Sequence, residues 1–243
     1  MIVDAEGFVF EPPPVISRAR RVLITPNAAY PTPYPVSTSQ EMLSALIEGI
    51  RQVSDADILI LAGTPDGSPV YPIYQKLGYN FPRVLTLDVK DCTWVEVDNP
   101  LPKPLIVPTF WVPNVILSCD YLITVTPLKV IQGQGYLSIA NLLSVLPSSK
   151  YGNGKPWGWD DLYDLGIEPV IADLYFTLPF DLGIIEARQK LIVEEDPARG
   201  VAEPCGRIFV GEPYEVDVEA TKALGLDTDY LGLIKEARVG LEE

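Results

Sequence analysis

The chain has 243 residues, 47% of them hydrophobic, and sets 33 acidic against 18 basic side chains for a formal charge of -15. Such a length and apolar content suffice to bury a full core, and the acidic balance argues against a nucleic-acid partner, because beyond Arg18-Ala-Arg-Arg21 there is no cluster of Lys and Arg. No apolar run reaches the roughly 20 residues of a bilayer span, and MIVDAEGF lacks the regions of a signal peptide, so a cytoplasmic protein without membrane contact is expected.

In chain order, Arg21-Val-Leu-Ile-Thr25 is a short apolar run closed by Pro26 and predicts a strand. Ser37-Thr-Ser-Gln-Glu41 offers overlapping capping boxes for a helix whose stripe is Met42, Leu46, Ile50 and Val53, widened by Leu43 and Ile47. Asp57-Ile-Leu-Ile-Leu-Ala62 then reads as a strand buried on both sides, and strand, helix, strand implies a right-handed parallel crossover. After the loop Gly63-Thr-Pro-Asp-Gly-Ser-Pro69, a short helix is expected over Tyr71 to Gly78 and a third parallel strand at Val84-Leu-Thr-Leu87. Residues 91–116 break the rhythm. Thr93-Trp-Val-Glu-Val97 alternates, while prolines at 100, 102, 104, 108 and 113 confine pairing to short or edge strands, which predicts a small β-rich insertion. Strands are expected again at Tyr121 to Val125, Pro169 to Asp173 and Arg207 to Val210, and a helix over Tyr214 to Leu224 stopped by Gly225. The sum is a single α/β domain over 1–243: a mainly parallel, Rossmann-like open sheet flanked by helices.

The absent residue types restrict the chemistry. Without histidine, Ser-His-Asp and Cys-His nucleophiles and histidine-held zinc or iron sites are excluded. Cys92, Cys119 and Cys205 are scattered and fit buried reduced thiols. No metal ligand set and no cofactor are indicated, and only oxygen ligands for magnesium or calcium would leave so little trace.

Four segments carry a family likeness: TPN at 25–27, CDYLITVTPLK at 119–129, SIANLLSVLP at 138–147 and VDVEATKALGLD at 216–227. Together they resemble the DUF362 family, an uncharacterised α/β domain whose typical members show a KPN tripeptide, a PKLKTH segment, a KN pair and an aspartate in a late helix. Asn27, Lys129, Asn141 and Asp217 stand at the matching places, while Thr25, Pro127, Ile131 and Ala140 replace a lysine, a lysine, the histidine and the lysine of the KN pair. The resemblance implies a divergent member that has shed most of its cationic residues. The ferredoxin-type cluster domains that accompany many members are not implied here, because the cysteines for them are missing.

In an open parallel sheet, ligands sit outside the carboxyl ends of the strands, which is expected to gather Asn27, Thr64, Asp66, Lys129 and Asp173. Lys129, directly after a strand in an acidic chain, either pairs with a carboxylate or meets an anionic ligand. Gly133, Gln134 and Gly135 precede the apolar run Tyr136 to Leu143, so the glycines either present backbone N–H groups to an anion at a helix start or only make a turn. Asn141 joins the ligand-binding set through the family match. Asp181 and Glu186 form a candidate carboxylate pair, and Tyr151 to Asp160, with two tryptophans, reads as a lid, a partner surface or a loop anchored by buried indoles. The expectation is a small anionic metabolite held at Lys129, with Lys129, Asp173 and Glu186 as the catalytic candidates. Binding without turnover, and a structural or homo-oligomeric relative with a degenerate site, stay open beside it.

Overall fold

The computed structural model describes residues 1–152, 154–155 and 158–242. A three-residue strand, β1 (Ile2–Asp4), is followed by β2 (Arg21–Pro26). In β2 an exposed first residue precedes five buried ones, as expected of a strand covered on both faces. Helix α1 (Gln40–Val53) starts where the Ser39 side chain accepts the Met42 backbone N–H at 2.9 Å, and it buries Met42, Leu43, Leu46, Ile47 and Ile50. Val53, expected on the same stripe, is exposed at the helix end. Next come β3 (Asp57–Ala62), α2 (Tyr71–Leu77), capped by Gly78 in the left-handed conformation, and β4 (Val84–Asp88).

Within residues 91–116, β5 (Trp94–Asp98) and β6 (Thr109–Pro113) pair antiparallel as a separate two-stranded sheet. The strand expected at Tyr121 to Val125 is longer: β7 (Tyr121–Ile131) runs through Lys129. It turns back at Gln132 and Gly133, both with positive φ, into β8 (Gln134–Tyr136). Two adjacent positive φ values suit a two-residue hairpin, so the glycine segment is a turn and not a helix start. The apolar run after it forms only a six-residue 3-10 helix, Ala140–Val145.

Short helices α3 (Ser148–Tyr151) and α4 (Asp160–Asp164) lead to α5 (Ile167–Thr177). This corrects the strand expected at Pro169 to Asp173. Val170, Ile171, Ala172, Asp173 and Leu174 are all buried, and a fully buried helix gives the same continuous apolar run as a buried strand. Strand β9 (Leu182–Val193) absorbs Glu186, and β10 (Val201–Gly211), α6 (Pro213–Leu224, ended by Gly225) and α7 (Asp229–Glu242) complete the chain.

The main sheet has the order β1-β10-β9-β7-β2-β3-β4, with β8 paired to the far end of β7. The five strands from β9 to β4 are parallel, and β10 and β1 add antiparallel at the β9 side. Alternate residues feed two cores. Val22, Ile24, Ile58, Ile60, Ile123 and Val125 pack with α1 and α2 on one face. Leu23, Leu59 and Leu61 pack with the 3-10 turn, α5 and α7 on the other.

Candidate active site

At the carboxyl edge of the parallel strands, β2 ends and hands over to Asn27, β3 leads into the loop holding Pro65, and β7 runs on past both. A cavity of about 80 Å³ opens there, with Thr126, Lys129 and Ile131 along β7 and Asn141 and Ser144 from the 3-10 turn among its walls. Tyr30, Tyr136, Tyr163 and Trp159 supply aromatic surface. Tyr136 arrives because the β7–β8 hairpin places it opposite Lys129.

The polar floor is a chain of amides whose direction is set at one end by a backbone carbonyl. Asn141 Nδ2 donates to Thr25 O at 3.0 Å and to Thr124 Oγ1 at 3.1 Å. A carbonyl only accepts, so the Asn141 nitrogen must face it, and its Oδ1 turns outward to accept Asn27 Nδ2 at 3.1 Å. The Asn27 Oδ1 is then left to accept Lys129 Nζ, also at 3.1 Å. Asp217, buried in α6, fixes the turn carrying Asn141: its carboxylate accepts Ser138 N at 2.9 Å, Ser138 Oγ at 2.6 Å, Ile139 N at 3.0 Å and Tyr230 Oη at 2.9 Å. Burial pushes that carboxyl up to about 6 despite these donors.

Lys129 is 6% exposed, and among the described residues no carboxylate forms an ion pair with it. Among the described residues its side chain hydrogen-bonds only to the neutral Asn27 amide, and burial brings its ammonium down to about 7. Ser144, 5% exposed, has a buried hydroxyl without a partner among the described residues. Burial raises the phenols of both Tyr136 and Tyr163, Tyr163 to about 12. Gly158 sits against the Pro65 loop, where a Cβ would come within 2.3 Å of Pro65 O, and the next residue, Trp159, is anchored by Nε1 donating to Leu146 O at 3.1 Å. Trp157 of the expected lid lies outside the described residues.

The expected site residues therefore divide. Asn27, Lys129 and Asn141 meet in one hydrogen-bonded chain. Thr64 and Asp66 flank the lining residue Pro65 but turn to Ser68: Thr64 Oγ1 donates to Ser68 O, and Asp66 accepts Ser68 N and Oγ as turn chemistry. Asp173 is not at the strand edge. Its two oxygens accept Asn99 Nδ2, Leu105 N, Ile106 N and Val107 N at 2.7–2.9 Å, tying α5 to the loop between β5 and β6. Glu186 accepts Ser39 Oγ at 2.6 Å and Ser39 N at 3.0 Å, anchoring the α1 cap, and Asp181 accepts Leu122 N. Gly133 and Gly135 belong to the hairpin, Gly135 N donating to Asp227 O, and Gln134 lines a neighbouring cavity with Glu168.

Sequence reasoning missed Thr126, Tyr30, Tyr136, Ser144 and Tyr163, whereas Trp159 lies in the tryptophan-bearing segment it had singled out. Among the missed residues Ser144 had a signal, three residues beyond Asn141 on one turn. The three cysteines are free and half-buried, and no group of three metal-binding side chains stands together among the described residues. Nor is any helix there long and apolar enough to cross a membrane.

Fold and site define an α/β protein with a mostly parallel central sheet flanked by helices and a lysine-bearing cavity at the carboxyl edge of its strands. Residues 22–222 match the family described as "Domain of unknown function (DUF362)", and the chain belongs to that family. Ile131 and Ala140, two of the positions at which it departs from the family pattern, line the cavity as apolar residues. No curated protein matches the sequence significantly. Among solved structures, the lactate racemase apoprotein from Thermoanaerobacterium thermosaccharolyticum shares the fold with a TM-score of 0.53 at 12% identity, over 88% of this chain and 52% of its own. The chain thus spans about half the length of that structure.

Proposed function

We propose that the cavity binds a small anionic metabolite at Lys129 and acts on it, with Lys129 as the group that holds and exchanges a proton. The observation that carries this reading is a buried lysine that, among the described residues, faces a neutral amide and no carboxylate, in a cavity also lined by a buried hydroxyl without a partner there. A buried cation without a counter-ion is costly, and an incoming anion supplies the missing charge. A group near pH 7 is also matched to acid–base work at neutral pH. Asp173 and Glu186, the other catalytic candidates, are left out because their oxygens are engaged by backbone and side-chain donors that hold elements together. The solved racemase is named for a small carboxylate, in keeping with this reading, though the likeness is one of fold. The same proposal treats 1–243 as one Rossmann-like domain with 91–116 inserted into it, supported by the separate sheet formed there.

The test is the thermal midpoint of the native chain against acetate, phosphate, lactate and pyruvate at pH 6.5. At least one should raise Tm in a saturable way, and Lys129→Met should lose the response. A response of equal size in the variant would place binding elsewhere.

A further inference from the structure

We propose that Lys129 captures the carbonyl carbon of a small 2-oxo acid as an imine inside this cavity. This rests on the reading that the cavity takes a small anion at Lys129, and it names the ligand's class and the bond it forms.

Three features of the site lead there. The first is the nitrogen itself. The direction of the amide chain obliges Asn27 to offer Lys129 its carbonyl oxygen, which takes up one N–H; among the described residues nothing else engages the nitrogen, so the lone pair of the neutral amine is left for a ligand. Burial with no carboxylate keeps an appreciable share of the amine neutral at pH 7, and a desolvated lysine is an activated nucleophile for carbonyl groups. The second feature is the wall. Ile131, Leu137, Ala140, Leu143, Tyr136 and Trp159 make the surroundings apolar and aromatic, which disfavours the water that would hydrolyse an imine. The third is Ser144, whose buried Oγ lines the same cavity without a partner and can donate to a carboxylate.

The step balances without an oxidant or reductant. Nζ attacks the carbonyl carbon, the π pair moves to oxygen, and the two amine hydrogens leave with that oxygen as water, giving a C=N bond. Protonation from solvent makes an iminium. That cation lies next to the ligand's own carboxylate, so the buried charges neutralise each other, which a plain aldehyde would not achieve. A cavity of about 80 Å³ suits an acid of a few carbons.

The native chain is incubated with pyruvate and sodium cyanoborohydride at pH 7, and the adduct is read by intact mass and peptide mapping. The expected result is one adduct per chain, on Lys129, formed at least tenfold faster than on any other lysine. Lactate and acetate, which lack the carbonyl, should give none. Lys129→Arg should keep an anion-dependent rise in Tm yet give no adduct at this position. Two results would overturn the imine: trapping spread evenly over the exposed lysines, or an anion-stabilised native chain that yields no adduct on Lys129. Absence of any anion response in the native chain would instead remove the binding reading beneath it. Because the adduct is measured on the native chain, the outcome does not depend on whether the variant folds.

Discussion

At the scale of the residue, Lys129 makes the stability of the free protein depend on pH in a defined direction. Its ordinary value of 10.5 applies to the unfolded chain, and the folded value is about 7. Between these the unfolded state binds more protons than the folded state, so this group's contribution to stability rises with pH from about 7 to about 10.5, by up to about 1.4 kcal/mol per unit. Urea midpoints of the native chain and of Lys129→Met at pH 7, 8 and 9 should diverge accordingly, with the added slope present only in the native chain. Anion binding has the opposite dependence. An anion favours the protonated lysine, so affinity should weaken as pH rises through 7, approaching tenfold per unit, which titration calorimetry would follow. Asn27→Asp tests the neutral partner: it gives up the hydrogen bond to Asn141 Oδ1, and its carboxylate beside Nζ should raise the lysine, weaken anion binding and slow imine trapping, with far-UV circular dichroism checking that the fold is kept.

At the scale of the element, the carboxylates first read as acid–base candidates act as fasteners. Asp173 holds three backbone N–H groups and one amide of 99–107, so Asp173→Ala leaves buried donors unpaired and should cost on the order of 3 kcal/mol. It should also speed proteolysis within 99–107 while leaving the anion response of Tm unchanged, an outcome a catalytic or ligand-binding Asp173 would not give. Ser39→Ala removes the α1 cap and one of the Glu186 partners together, a loss of about 1–2 kcal/mol readable in the urea midpoint. In both cases the sequence showed an acid of suitable type, and only its partners revealed the use to which it is put. The strand misassigned at 169–173 has a similar cause. Where a helix is buried all round over more than one turn, as at 170–174, it loses the polar stripe that marks its period, and PVIAD then matches a buried strand as well as a helix turn.

At the scale of the whole molecule, one sheet separates its two largest apolar clusters, with two smaller ones along β7, β9 and β10, and neither face can be exposed without stripping strands that also bury the other. Unfolding should therefore be a single cooperative transition, with tryptophan fluorescence and far-UV circular dichroism giving coincident urea curves. A separate early phase in the fluorescence would show that the β5–β6 sheet, which carries Trp94 and Trp111, folds apart from the rest.

The sequence by itself determined the central strands near 21, 57, 84 and 121, the capped helix between the first two, the helix ended by Gly225, the absence of imidazole chemistry and the prominence of Asn27, Lys129 and Asn141. The strands and helices follow from local signals, since buried runs, caps and glycines act on residues a few positions apart; the missing imidazole is a matter of composition, and Asn141 entered through the family likeness. The tertiary structure alone decided that the three residues touch and which way each amide points. The orientation that leaves Lys129 facing a neutral oxygen is fixed by the backbone carbonyl of Thr25, 116 positions from Asn141 in the chain. It also decided that Lys129 has no carboxylate partner among the described residues of an acidic protein, since the pairing of a charge depends on which side chains the folded sheet brings within reach.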